Sequence, residues 1–193
     1  ENGSEDHTEK IAQDLTLNHN NITLIRSEVP GRGGAIKRAW ESCNTDILCY
    51  MDIDLSTDLE ALPVAIDHLT KEKNCDIVIG SRLLKDSIVM DRSILRELLS
   101  RSYSYIFRNL LGVKFFDAQC GFKLIKRQVF TKVINDIKDN GWFFDTELLV
   151  LAARRGFIIK EIPVKWKDNS DSRVRIIPTI YKDLKGIMRI LKH

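Results

Sequence analysis

The chain lacks several things that would have settled its class at once. No apolar run approaches the ~20 residues a membrane span needs, and no signal peptide stands at the start. Four cysteines, Cys43, Cys49, Cys75 and Cys120, show no Cys-x-x-Cys spacing. They read as reduced and structural, which excludes a zinc knuckle and fits a cytosolic environment. Charge is nearly balanced, with a net of +3, so nothing points to a nucleic-acid partner. No repeat or low-complexity tract interrupts the pattern. What remains is 193 residues, 44% hydrophobic and 30% charged, which is enough for one α/β domain with a sizeable core.

Periodicity predicts helices over 8–17, 35–40, 58–71, 92–111, 128–136, 145–155 and 178–191. It predicts strands over 21–26, 46–51, 76–79, 122–125 and 157–166. Alternating β and α units imply a largely parallel sheet covered by helices. Ligands bind such sheets beyond the carboxyl ends of the strands, which would put Asp52, Asp54 and Arg82 on one edge.

Asp52 and Asp54 end an apolar strand with two carboxylates at i, i+2, on the same side of an extended chain. Such hard oxygen donors suit Mg²⁺ or Mn²⁺ that also holds phosphate oxygens; a solvated strand-end turn is the alternative. Gly31-Arg32-Gly33-Gly34-Ala35 precedes a helix, where exposed amides and an arginine could cradle a phosphate, or form an ordinary loop. Gly80-Ser81-Arg82 follows a second apolar strand, and Arg82 could clamp an anion or lie on the surface. In Asp117-Ala118-Gln119-Cys120-Gly121-Phe122-Lys123, Gly121 allows either close backbone approach to a ligand or a tight turn. Trp142 offers an apolar face to a sugar ring, and Asp145 and Glu147 follow it; Asp145 could equally cap the helix.

These segments, with Glu161-Ile162-Pro163-Val164-x-Trp166, occur in an order and spacing that resembles the inverting GT-A (Rossmann-like) glycosyltransferases of family 2. The closest branch is the dolichyl-phosphate (polyprenyl-phosphate) β-glucosyltransferases and mannosyltransferases, and Gln-Cys-Gly-Phe-Lys looks more like the former. The resemblance implies transfer of a hexose from UDP-glucose or GDP-mannose to a polyprenyl phosphate, at the cytosolic face of a membrane. It implies metal ligation by Asp52 and Asp54. The mannosyltransferase branch can carry a glutamine ligand where Ser56 stands, so a third protein ligand stays open. Asn2, Gly3, Ser4 and Asp6 resemble the nucleotide-binding turn, joined by Gly31, Arg32, Gly33 and Ile53. Ser81, Gln119, Trp142, Asp145 and Glu147 would line the sugar and acceptor pocket. Arg82 and Lys123 would hold phosphate, and Asp117 would be the base if the acceptor were a hydroxyl.

Family members begin with a strand, a helix and a second strand before that turn, whereas this sequence starts at the turn. A catalytic domain over 1–172 lacking a β-α-β unit is expected, and this chain alone should hold nucleotide weakly. Residues 173–193 read as a basic amphipathic helix suited to an anionic membrane surface or to packing on the sheet. Its apolar face would run through Ile177, Ile180, Tyr181, Leu184, Ile187, Met188 and Leu191, with Arg173, Arg175, Lys182, Lys185, Arg189 and Lys192 around it. Rival readings are transfer to a glycan hydroxyl, a sugar-nucleotide pyrophosphorylase and a non-catalytic binding module.

Overall fold

The computed structural model describes residues 1–168 and 176–192, with backbone alone for 176–178. A four-stranded sheet has the order β1 (Ile47–Met51), β4 (Phe122–Lys126), β2 (Ile77–Ser81), β5 (Ile159–Pro163). β1, β2 and β5 share one direction, as parallel strands should. β4 runs against them, pairing antiparallel with β1 and with β2, so the sheet is mixed. The turn at 117–121 brings the chain back along the sheet in that opposite sense.

Alternation along the strands splits the core in two. Leu48, Ile77, Ile79 and Ile125 face one side, packed by α2 (Arg32–Ser42), α4 (Ile94–Leu111), α5 (Arg127–Val133), α6 (Phe144–Arg154) and α7 (Ile176–Leu191). Val78, Phe122, Leu124 and Ile162 face the other, against α3 (Ala61–Lys71) and Trp166. A helix α1 (Thr8–Asn18) buries none of its residues.

Three expectations change. The 21–26 segment forms no strand. Its ladder amounts to one rung, in which the Glu1 ammonium donates to the Ile25 carbonyl (3.0 Å) and the Ser27 N–H to the Glu1 carbonyl (3.0 Å). The 157–166 strand divides into β5 and a separate β6 (Lys165–Lys167). β6 pairs in parallel with an unforeseen three-residue strand, β3 (Ile88–Met90). The extended chain also stops at Met51. The Leu55 N–H donates to the Asp52 carbonyl (3.1 Å), and Leu55 takes a positive φ of 52°. Asp52 and Asp54 therefore sit on a turn and not on one side of an extended strand.

Candidate active site

β1 and β4 place Tyr50 opposite Lys123 on the face that receives α6. Both reach Asp145, in the first turn of α6. Lys123 Nζ lies 3.1 Å from Asp145 Oδ1 and donates to Tyr50 Oη (3.0 Å) and the Cys120 carbonyl (2.6 Å). The Tyr50 hydroxyl donates to Asp145 Oδ1. Asp145 is not the cap of α6 but a buried anion shared by three partners. Arg32 is the third: Nη1 lies 3.1 Å from Asp145 Oδ2, and Nη2 donates to Asp52 Oδ1 (2.8 Å). Its guanidinium stacks on Trp142 (4.8 Å) and Tyr50 (5.1 Å). Burial alone would lower the Arg32 pKa, but Tyr50, Asp145 and Asp52 around the guanidinium outweigh it and hold the pKa above its ordinary value. Burial, then Asp145, raises the Tyr50 phenol well above its own.

Asp52 is fixed from the other side by Gly121, whose carbonyl accepts the Asp52 N–H (2.9 Å). A Cβ at Gly121 would come within 1.7 Å of Asp52 Oδ2, so the glycine exists for the carboxylate. Asp54 and Ile53 are exposed, and Asp54 Oδ1 accepts the Ser56 N–H (3.1 Å). Ser56 itself is buried. Among the described residues no group of three or more His, Cys, Asp or Glu side chains could hold a metal ion.

Beside this, Asp117 accepts from Arg82 three times: from Nε (2.8 Å), Nη2 (2.8 Å) and the backbone N–H (2.9 Å). Arg82 stacks on Trp166 at 4.8 Å. Burial pushes the Asp117 carboxyl up, but Arg82 more than offsets it and keeps Asp117 below the usual carboxylate range. Glu161 accepts the N–H groups of Phe116 (2.8 Å) and Asp117 (3.0 Å), and burial raises its pKa. Ser81 is buried, with its carbonyl accepting from Ser87 Oγ (2.6 Å).

Several expected residues do other work. The Gly33 and Gly34 amides donate to the Gly141 (3.2 Å) and Asn140 (3.0 Å) carbonyls, so they are not free to cradle a phosphate. Gly31 and Gly33 permit that contact, since a Cβ there would meet Asn140 O at 2.5 Å and Phe144 Cβ at 2.4 Å. Lys123 is fully buried, and its ammonium neutralises Asp145. Glu147 is buried away from Asp52, accepting the N–H groups of Lys138 (3.0 Å) and Asp139 (2.7 Å) and ion-paired to Arg189 (3.0 Å). Gln119 donates to Asp183 on α7 (2.8 Å). Asn2, Gly3, Ser4 and Asp6 lie just before α1. Asp6 accepts the Thr8 N–H (3.0 Å) at the start of α1, and Gly3 packs on Glu28 and Pro30. A hollow of about 310 Å³ opens beside them, bordered by Gly3, Ser4 and Arg26. The sequence alone does not single out Tyr50, Asp183 or the Glu161 carboxylate as an acceptor of backbone N–H groups. For Asp183 the signal was an acid at helical spacing among apolar residues of α7.

α7 has two sides. Asp183, Gly186, Ile187 and Ile190 are buried, while Ile180, Tyr181, Leu184, Met188 and Leu191 are exposed beside Lys182, Lys185 and Lys192. Ile187 therefore leaves the outward face and Arg189 turns inward to Glu147. Arg173, Arg175 and the Ile177 side chain lie outside the described residues. No described helix is long and apolar enough to cross a membrane.

This arrangement has known counterparts. Residues 1–134 match the family model Glycosyl transferase family 2. Glycosyltransferase AglD of Haloferax volcanii is 38% identical over 93% of the chain, which spans 29% of that protein. Dolichyl-phosphate beta-glucosyltransferase ALG5A of Trichomonas vaginalis is 32% identical over 90% of the chain, which spans 54% of it. The fold matches a crystal structure of glucosyl-3-phosphoglycerate synthase from Mycobacterium tuberculosis in complex with Mn²⁺ and UDP-glucose. There the TM-score is 0.68 at 17% identity, over 98% of this chain and 64% of that one. With Asp52 at the strand end, Gly121 behind it and the family model matched over more than half the chain, the protein belongs to the family 2 glycosyltransferases.

Proposed function

We propose that this chain is the catalytic core of an inverting glycosyltransferase. It moves a hexose from UDP-glucose or GDP-mannose to a polyprenyl (dolichyl) phosphate at the cytosolic face of a membrane. The observation that carries the acceptor class is the state of Asp117. A hydroxyl acceptor needs a carboxylate base. Asp117, the candidate, has both oxygens engaged by Arg82 and is held acidic. Glu161, Asp145 and Glu147 are likewise committed to internal partners. A phosphate monoester is already anionic near pH 7, its second pKa being about 6. It can attack an anomeric carbon without a base, and a cation that holds it matters more. Arg82, oriented by Asp117 and Trp166, is that cation. The name of the Trichomonas relative, a dolichyl-phosphate glucosyltransferase, agrees with this acceptor.

The donor side fits a divalent cation. Asp52 and Asp54 offer hard oxygens at an open turn, too few to enclose an ion, which leaves room for diphosphate oxygens and water. When bound, Mg²⁺ or Mn²⁺ supplies charge neutralisation for the leaving diphosphate. Arg32 adds a positive charge between Asp52 and Asp145, and the half-exposed Trp142 gives the hexose an apolar face. The exposed apolar residues of α7, ringed by lysines, and Ile94, Leu95 and Leu98 of α4 suit an anionic bilayer surface.

The test is mass spectrometry of lipid extracts, with proton NMR of the product's anomeric centre, after incubating the intact protein with each nucleotide sugar, polyprenyl phosphate and Mn²⁺. One hexose added to the phosphate, with an inverted anomeric centre, is expected from one donor. Transfer from neither donor, or with the donor's anomeric configuration retained, would overturn the proposal.

A further inference from the structure

α7 meets the back of the site at two points. Near its middle the buried Asp183 accepts from Gln119 Nε2 through Oδ2 at 2.8 Å, while Oδ1 has no partner. One and a half turns on, Arg189 Nε and Nη2 donate to Glu147 Oε1 at 3.2 and 3.0 Å. Between them Gly186 lies so close to Phe143 that a Cβ would fall 2.3 Å from its ring.

The two segments held in this way are those that build the site. In 117–121, Asp117 orients Arg82, the Cys120 carbonyl takes Lys123, and Gly121 supports Asp52. In 138–142, the Gly141 and Asn140 carbonyls accept the amides of Gly33 and Gly34, just after Arg32, and Trp142 stacks on Arg32. An acid with one unpartnered oxygen is costly to bury. A helix that merely packed would be better served by an apolar residue at 183, as at Ile187 and Ile190.

We propose that Asp183 is a positioning residue: through Gln119 it fixes the 117–121 segment, so the seating of α7 sets the geometry of Arg82 and Asp52. Its catalytic consequence rests on the transferase reading above; the brace itself does not.

Amide hydrogen exchange separates the two. Asp183→Ala is expected to speed exchange at 119–121 about tenfold, by loss of the hydrogen bond from Gln119. Asp183→Asn, whose amide oxygen accepts the same bond, leaves exchange unchanged. Gln119 is half-buried, and Gln119→Ala removes the same bond from its other end, so it gives the same readout should Asp183→Ala fail to fold. Combining the two alanines should add nothing to either alone. In the transfer assay Asp183→Ala should raise the acceptor KM by a similar factor, and Asp183→Asn should restore it. Unchanged exchange at 119–121 in the folded variants, or effects that add, would overturn the proposal. If wild type transfers no sugar, the transferase reading falls and exchange alone decides the brace.

Discussion

Asp52 lies 2.8 Å from a cation the chain itself supplies, the Arg32 guanidinium, and its carboxylate fills the space a side chain at Gly121 would need. Two predictions belong here. Gly121→Ala should force the Asp52 carboxylate out of place and cut donor kcat/KM by about 100-fold, roughly what 1 Å of misplacement costs; steady-state kinetics would show it. Lys123→Leu should leave Asp145 short of a buried partner and lower stability by about 3–5 kcal/mol in urea unfolding. Replacing both with leucine should cost less than the sum of the single changes. Asp52 was legible because an apolar strand broke into carboxylates. The network beneath it was not, because a lysine or tyrosine in a short strand has two faces to choose from. Only the pairing of Tyr50 with Lys123 across β1 and β4 shows that both point inward.

At the scale of elements, α7 makes the same point. Its 3.6-residue period marks a helix, but both of its sides carry apolar residues. Gly186, by admitting Phe143, decides which side turns in, and that takes Asp183 inside. Burial pushes the Asp183 carboxyl up to about 6 from its ordinary 3.8, with Asp139 and Asp145 adding to the rise and Gln119 opposing it. Tyr103 faces the same acid. Folded protein therefore binds the proton more tightly than unfolded protein, and stability falls as pH rises from about 4 to about 6 and is level above. Asp183→Asn removes that slope. Urea unfolding should show the variant gaining on wild type across this window, by on the order of 2–3 kcal/mol at pH 7. Strands were harder to read than helices. Residues 21–26 are extended but exchange a single rung, and β3 is three residues whose partners in β6 lie 77 positions further on, as Ile88 pairs with Lys165. The reversed β4 was equally invisible, since strand direction is a property of the turn at 117–121 and not of Phe122–Lys126 alone.

For the whole molecule, the mixed sheet divides two cores and gathers Asp52, Arg32, Arg82 and Asp117 near one edge, close enough for Asp52 to bear on Arg82. The chain spans 29% to 54% of the relatives compared, so acceptor and membrane surface are proposals, drawn from Asp117, Arg82 and the exposed face of α7. Among the described residues every buried carboxylate there except one oxygen of Asp183 faces a donor or cation within the fold, and on that ground the proposed acceptor is one that carries its own charge. The most direct measurement is transfer by the intact protein to polyprenyl phosphate against the same polyprenol without its phosphate, at matched concentration with Mn²⁺ and the nucleotide sugar. Transfer to the phosphate alone, rising with its second ionisation near pH 6 and level above, is the expected result. Comparable transfer to the alcohol would contradict it.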